Sequence, residues 1–268
     1  MQFWSLKNRT PYSDASELQK KLVELRARDA IPDTVLLLEH ESVVTRGRGL
    51  QWVGQPRERS IPLPAPLPPS IAFCESERGG DLTYHGPGQL VVYPIIKLDG
   101  SGFGPAKDIT AFLRKLEGVF IDWLRSLGLS SESRENATGV WVDEPQGARK
   151  VASIGIAVRK WVVWHGLAIN VVNDLKPFHL ISPCGFSPEV MASLGELLDA
   201  HGASWPRDEW RSWCEREIAR GLLAKRRSET DIRAAGEGAS AQVEIRSLTL
   251  DEAINEVEKF QTPTQEDS

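Results

Sequence analysis

Val151-Ala-Ser-Ile-Gly-Ile-Ala-Val158, then Arg159-Lys160, then Trp161-Val-Val-Trp-His-Gly-Leu-Ala-Ile-Asn-Val-Val172 reads as a β-hairpin. Residues two apart in a strand share a face. Ser153, Gly155 and Ala157 therefore line one face, opposite Ile154, Ile156 and Val158. With a turn at Arg159-Lys160, Gly166 and Ala168 join the small-residue face and Leu167 the other. Arg-Lys is a poor two-residue turn, so the pattern leaves the register open. A face of small residues leaves a slot that either a slim apolar chain or a closely packed helix would fill.

Working outward, Thr34 to Glu39 (TVLLLE) predicts a short buried strand, and Leu90 to Leu98 (LVVYPIIKL) a strand with Pro94 at an edge or bulge. A long helix is predicted from Ile109 to Leu127, capped by Asp108 and ended by Gly128. Its apolar stripe is Ile109, Phe112, Leu113, Leu116, Val119, Phe120, Trp123, Leu124 and Leu127. Asp14-Ala-Ser-Glu17 reads as a capping box that opens an earlier helix through Leu18, Leu22 and Leu25. Ser187-Pro188 predicts a helix start that runs to about Ala200. Another helix is expected over Trp205 to Ala224, with Cys214 on its buried side. Six prolines within residues 56–70 predict an extended surface loop. After Arg227 the chain turns rich in Ala, Gly, Ser and Glu, followed by VEIRSLTLDEAINEVEKF, which reads as one more strand and helix. Scattered strands and unequal helices without a βαβ rhythm predict an α+β fold. The expected domains are a catalytic unit over residues 1–224 and an acidic, partly disordered extension over 225–268.

The chain has 268 residues, 41% of them hydrophobic and 26% charged, an ordinary globular balance. Net charge is −5. Residues 229–268 hold ten acids and three bases, a net −7, leaving +2 on the rest. That body is not basic enough to argue for nucleic acid. No apolar run approaches the ~20 residues that span a bilayer, and the first residues do not read as a secretory signal. Three cysteines cannot build a disulfide framework. With no C-x-x-C and five scattered histidines, no metal site is indicated, and a cytoplasmic setting is expected.

Two further stretches carry candidate chemistry. Arg78-Gly-Gly-Asp-Leu-Thr-Tyr-His-Gly-Pro-Gly-Gln-Leu90 sets four glycines around Tyr84 and His85. Glycines let backbone approach a ligand closely, but neither G-x-G-x-x-G nor a P-loop is present, and a bland glycine-rich turn would look the same. Pro183-Cys184-Gly185 stands just before the expected helix start at Ser187. A thiol there would have its thiolate stabilised, as a nucleophile needs, although a lone cysteine is often an inert core residue.

Taken together, LLLEHESVVTRGRG (36–49), RGGDLTYHGPGQLVVYPI (78–95), GVWV (139–142), RKVASIGIAVRKWVVWHGLAINV (149–171) and FHLISPCGF (178–186) resemble the octanoyltransferase family of lipoate biosynthesis. The resemblance covers roughly residues 34–198. It implies the fold shared with the biotin and lipoate protein ligases: a mixed β-sheet with flanking helices and a smaller sheet. It also implies that Cys184 carries an acyl-thioester and that Lys150 tunes the thiol. Arg78, Gly79, Gly80, Asp81, Leu82, Thr83, Tyr84 and His85, with Ser153, Ile154, Gly155, Gly166, Leu167 and Ala168, would bind the acyl substrate. The chain departs from the family in a longer proline-rich stretch, in Ala192, where the family tends to have Thr, and in the tail beyond Ala224.

The implied donor is octanoyl-acyl carrier protein. The implied acceptors are lipoyl domains of 2-oxoacid dehydrogenase subunits and the glycine cleavage H protein. No cofactor, nucleic acid or membrane enters. Arg46, Arg48, Arg57 and Arg59 are candidates for docking acidic partners. The rival readings are an ATP-dependent lipoate or biotin-type ligase of the same superfold and an octanoyl amidotransferase acting between lipoyl domains.

Overall fold

The structure is a computed structural model, and it describes residues 1–49, 63, 66–135, 137–226 and 243–260, with Cys184 described by its backbone alone. Among the described residues eleven strands form two sheets. β1 (Gln2–Leu6), β2 (Thr34–Leu38), β6 (Gln89–Lys97), β7 (Ser131–Glu132), β8 (Gly139–Val142), β9 (Arg149–Arg159), β10 (Val162–Asn170) and β11 (Ile245–Leu248) make an eight-stranded sheet. Its order is β11-β1-β2-β6-β10-β9-β8-β7, parallel around β1 and antiparallel elsewhere. β3 (Val43–Gly49), β4 (Ala72–Glu75) and β5 (Gly80–His85) make a smaller mixed sheet in the order β4-β3-β5. The helices are α1 (Tyr12–Ala27), α2 (Ile109–Ser126), α3 (Leu194–Ala200), α4 (Trp210–Arg226) and α5 (Leu250–Glu258). The fold is therefore α+β with mixed sheets and flanking helices.

Alternation along the strands sorts the core. Leu90, Val92 and Ile96 of β6 face α2 and α4. Val91, Tyr93 and Ile95 face the opposite layer, with Leu18, Leu22 and Leu25 of α1 and Ala253 and Val257 of α5. A third cluster, Val44, Leu82, Tyr84, Phe178, Ile181 and Met191, lies under the smaller sheet. Leu63 and Leu67 of the proline-rich segment pack against it. The rest of that segment up to residue 65 lies outside the described residues, as do Arg57 and Arg59.

Several local expectations hold and others shift for identifiable reasons. Asp108 caps α2, accepting from the Ala111 N–H. Ile109 is exposed at the helix start instead of joining the stripe. α1 begins after Pro11, whose fixed φ starts the helix early, so Asp14 falls in the first turn and is not the cap. The hairpin turn is Lys160-Trp161, both at positive φ, one residue later than expected. That moves the pairing by two residues, which keeps the faces: Gly155 pairs with Gly166 and Ser153 with Ala168.

The helix expected from Ser187 is broken. A 3₁₀ turn covers Pro188–Val190 and α3 starts only after Ser193, which caps it. Between them, Met191 bridges to Lys150 and the Ala192 N–H bonds to the Lys150 carbonyl, so the backbone is spent on β9. Cys184 stands in a separate 3₁₀ turn, Pro183–Gly185, and no α-helix follows it directly.

Within the acidic tail, β11 extends the main sheet and α5 packs on α1, with Thr249 and Glu252 forming a reciprocal capping box. Residues 227–242 and 261–268 lie outside the described residues. Among the described residues no helix is long and apolar enough to cross a membrane.

Candidate active site

A cavity of about 120 Å³ lies between the main sheet and the smaller one. Its floor is the small-residue face of the β9–β10 hairpin, with Ser153, Gly155, Gly166 and Ala168. Across from the floor stand Arg78, just before β5, and Gly80, Thr83 and His85 along it. Tyr12, Val91 and Tyr93 line it too, as do Lys150 and Phe186.

Lys150 reaches the cavity through a β-bulge. Gly139 pairs with Ser153 and Val140 with Ala152, but Trp141 pairs with Lys150, so Val151 is an extra residue on β9. Simple alternation would put Lys150 on the face opposite Ser153. The bulge resets the alternation, and Val151 and Ala152 both enter the core beneath α2. Lys150 is 4% exposed, and its Nζ sits 5.4 Å from the Trp141 ring centre and 5.2 Å from that of Phe186. Phe186 is two residues from Cys184, whose side chain lies outside the described residues. The Pro183–Gly185 turn itself packs against β5.

Arg78 is a tie as much as a lining residue. Its guanidinium donates to the Thr45 carbonyl and hydroxyl and to the Asp81 and Gly79 carbonyls, which locks the glycine pair to β3. A Cβ on Gly155 would lie 2.7 Å from the Gly79 carbonyl oxygen, so only glycine admits this close approach. Thr83 and His85 point at the cavity, whereas Leu82 and Tyr84 point into the third core cluster. Gly79 donates to the Ile156 carbonyl, outside the cavity lining. Arg46 and Arg48 pair with Glu75 and Glu77.

Three histidines that sequence reasoning did not join meet beside the cavity. His40 Nδ1 donates to the Thr10 carbonyl, which leaves Nε2 to accept from Tyr93 Oη at 2.7 Å. His85 Nδ1 bonds Gln89 Oε1 at 2.7 Å. Tyr12 stacks between His85 and His165, with ring centres 6.0 and 6.5 Å away. Burial lowers the pKa of His40 to about 4 and that of His165 to about 3, and it pushes His85 well below its ordinary value. All three are therefore held in the neutral form near pH 7.

His165 is also a backbone outlier, at φ +55°. The β6–β10 ladder pairs Val163 with Ile96 and Leu167 with Val92, which sets His165 opposite Pro94. Pro94 is thus in a central strand, not at an edge. It has no N–H to donate, and the His165 N–H turns out of the ladder to Gln19 Oε1 of α1 at 2.8 Å. Of the residues the sequence did not nominate, Tyr93, His165 and Phe186 lay within quoted motifs, while Tyr12 gave no local signal.

The chain matches the family described as Lipoyl protein ligase A/B catalytic domain over residues 11–218. It is 41% identical over 202 residues to a protein named Octanoyltransferase from Thermobifida fusca, covering 73% of this chain and 79% of that one. A protein of the same name from Caldicellulosiruptor saccharolyticus is 42% identical, with 70% and 75% covered. Among solved structures, the bipartite lipoate protein ligase of Thermoplasma acidophilum superposes with a TM-score of 0.61 at 19% identity, covering 98% of this chain and 95% of that one. Lipoate-protein ligase A bound with ATP gives 0.59 at 18% identity, covering 98% and 97%. At such identities the structural likeness concerns the fold.

Proposed function

This chain belongs to the lipoyl protein ligase A/B catalytic-domain family, and on that premise we propose that its octanoyl transfer runs from octanoyl-acyl carrier protein to a lipoyl-domain lysine through an acyl-thioester on Cys184. It is an acyltransferase of lipoate biosynthesis, like the relatives it resembles at about 40% identity. The observation that carries the reading is Lys150 Nζ at the wall of a cavity floored by small residues, 5.2 Å from the ring of Phe186, two positions beyond Cys184.

In the first step the Cys184 thiolate attacks the donor thioester carbonyl, and the carrier protein's thiol leaves with a proton. In the second, the neutral acceptor lysine attacks the enzyme thioester, an amide forms, and the Cys184 thiol is released. Thioester exchange is nearly isoenergetic and amide formation is downhill, so neither ATP nor a metal is required. Lys150 as a cation would favour the thiolate, and as an amine it would take the thiol proton. About seven chain carbons entering the cavity at ~0.8 kcal/mol each supply roughly 5 kcal/mol of binding. The setting is cytoplasmic, and the acceptors are lipoyl domains of 2-oxoacid dehydrogenases and the glycine cleavage H protein.

Mixing the enzyme with octanoyl-acyl carrier protein and no acceptor should leave an octanoyl adduct on Cys184 in peptide mass spectra. Ping-pong kinetics should accompany it. An adduct on another residue, or an absolute requirement for ATP, would reject the reading.

A further inference from the structure

Behind the cavity wall, two buried amide side chains have no part in the chemistry proposed above. Gln89 opens β6 and Asn170 closes β10, and the two are direct partners across the sheet. Neither lines the cavity, whereas His85, which bonds to Gln89, does.

Their hydrogen bonds leave one orientation for each amide. A backbone carbonyl only accepts. Asn170 Nδ2 donates to the Ala192 carbonyl at 3.1 Å, so Asn170 Oδ1 points the other way. There it accepts from Asn173 Nδ2 at 3.1 Å and from Gln89 Nε2 at 2.9 Å. Gln89 Nε2 also donates to the Tyr84 carbonyl at 3.2 Å. With both its hydrogens committed, Gln89 can present only Oε1 to His85 Nδ1, 2.7 Å away. An amide oxygen accepts, so Nδ1 carries the ring hydrogen and Nε2 has none. Two backbone carbonyls, those of Tyr84 and Ala192, lead independently to the same tautomer.

The surroundings keep the ring uncharged. Burial first, then His40, Arg78 and His165, hold it well below its ordinary pKa against the pull of the Gln89 bond. Tyr12 stacks on its face, with ring centres 6.0 Å apart. Asn170 also reaches the other side of the site. The residue whose carbonyl it holds, Ala192, donates its N–H to the Lys150 carbonyl at 3.0 Å.

We propose that Gln89 and Asn170 are positioning residues that fix His85 as the Nδ1–H tautomer, so that the ring offers the cavity a hydrogen-bond acceptor, Nε2. A nitrogen without a hydrogen accepts from an arriving N–H and cannot donate to a carbonyl oxygen. In the transfer reading the neutral acceptor lysine brings such N–H groups, and the thioester carbonyl is not a partner for His85. This consequence for catalysis rests on the transfer reading, whereas the tautomer does not.

The test is long-range proton–nitrogen correlation NMR of the full chain with isotope-labelled histidine near pH 7. The His85 signals are assigned by their loss in His85→Gln. Wild type should show a protonated Nδ1 and a bare Nε2. In Gln89→Leu the acceptor for Nδ1 is gone, and the ring should change to the Nε2–H form that predominates in free histidine. Circular dichroism reports folding of the variant. Its kcat for octanoyl transfer should fall about tenfold, the scale of one lost hydrogen bond, while KM for the donor changes little. An Nε2–H tautomer in the wild type would overturn the proposal even if the variant does not fold. So would a folded Gln89→Leu that keeps the wild-type pattern, or one that loses it with kcat unchanged. A wild type with the expected pattern that transfers no octanoyl group would reject the transfer reading and leave the tautomer assignment standing.

Discussion

Gly139 lies against the side chain of Lys150: a Cβ at position 139 would sit 2.6 Å from Lys150 Cε and 2.4 Å from the Ala152 carbonyl oxygen. Gly139 adopts φ +137°, and its N–H donates to Glu117 Oε1, a buried carboxylate of α2. The strand that neighbours the bulge therefore has no side chain where Lys150 must pass.

Gly139→Ala should push Lys150 out of its groove. Alanine at positive φ with a clash costs more than about 1 kcal/mol. Octanoyl transfer should fall at least tenfold while the far-ultraviolet spectrum keeps its native shape. A variant with wild-type turnover would show that the Lys150 position does not matter to the rate.

Arg78→Lys should cost roughly 2–3 kcal/mol of stability, because a single ammonium cannot replace a planar fork that donates to several buried oxygens. The Gly79-Gly80 turn would loosen over Gly155, and KM for the acyl donor should rise more than kcat falls. Urea unfolding and steady-state kinetics on the same preparation check both parts. An unchanged urea midpoint would remove the structural role assigned to the guanidinium.

Acid should destabilise the protein through its buried histidines. Their folded pKa values lie below the ordinary 6.5, at about 4 for His40 and about 3 for His165. The unfolded chain thus binds more protons between those limits, and stability rises with pH across that window. It is fully present above about pH 6.5 and is lost as pH falls toward 4. At pH 5 these two groups together should remove roughly 4 kcal/mol, at about 1.36 kcal/mol per unit for each. Urea midpoints from pH 7.5 to 5 measure the slope, and His40→Gln should flatten it.

Truncation after residue 242 should lower the melting temperature and promote self-association. It removes Leu248, Ala253 and Val257 from the layer over α1 and bares the β1 edge, a template for strand pairing. Thermal melts and light scattering report the two effects. A monomeric, equally stable truncate would mean that β11 and α5 add nothing to the sheet.

Much of this was legible in local pattern. The α2 stripe with its Asp108 cap, the alternation along β6 and the small-residue face of the hairpin each depend on spacings of two to four residues, which the chain writes directly. The face survived even a misplaced turn, because a one-residue error in the turn moves pairing by two and preserves which residues share a side. The motifs around Arg78, Lys150 and Cys184 pointed to the family, and residues 11–218 match it.

The rest depends on partners distant in sequence. Alternation alone turns Lys150 away from Ser153; only its pairing with β8 makes Val151 a bulge and brings the amine into the cavity. His40, His85 and His165 are far apart in the chain, and their neutral state follows from burial that no local window contains. Pro94 reads as an edge or bulge residue and His165 as an ordinary strand residue, yet opposite one another in a central pair they break a ladder, and Gln19 accepts the freed N–H. Sequence determined which elements form and which family they build. The packing of one sheet on another decided where the amine points and which imidazoles meet beside the cavity, because both are set by register between strands and not by the order of residues within one.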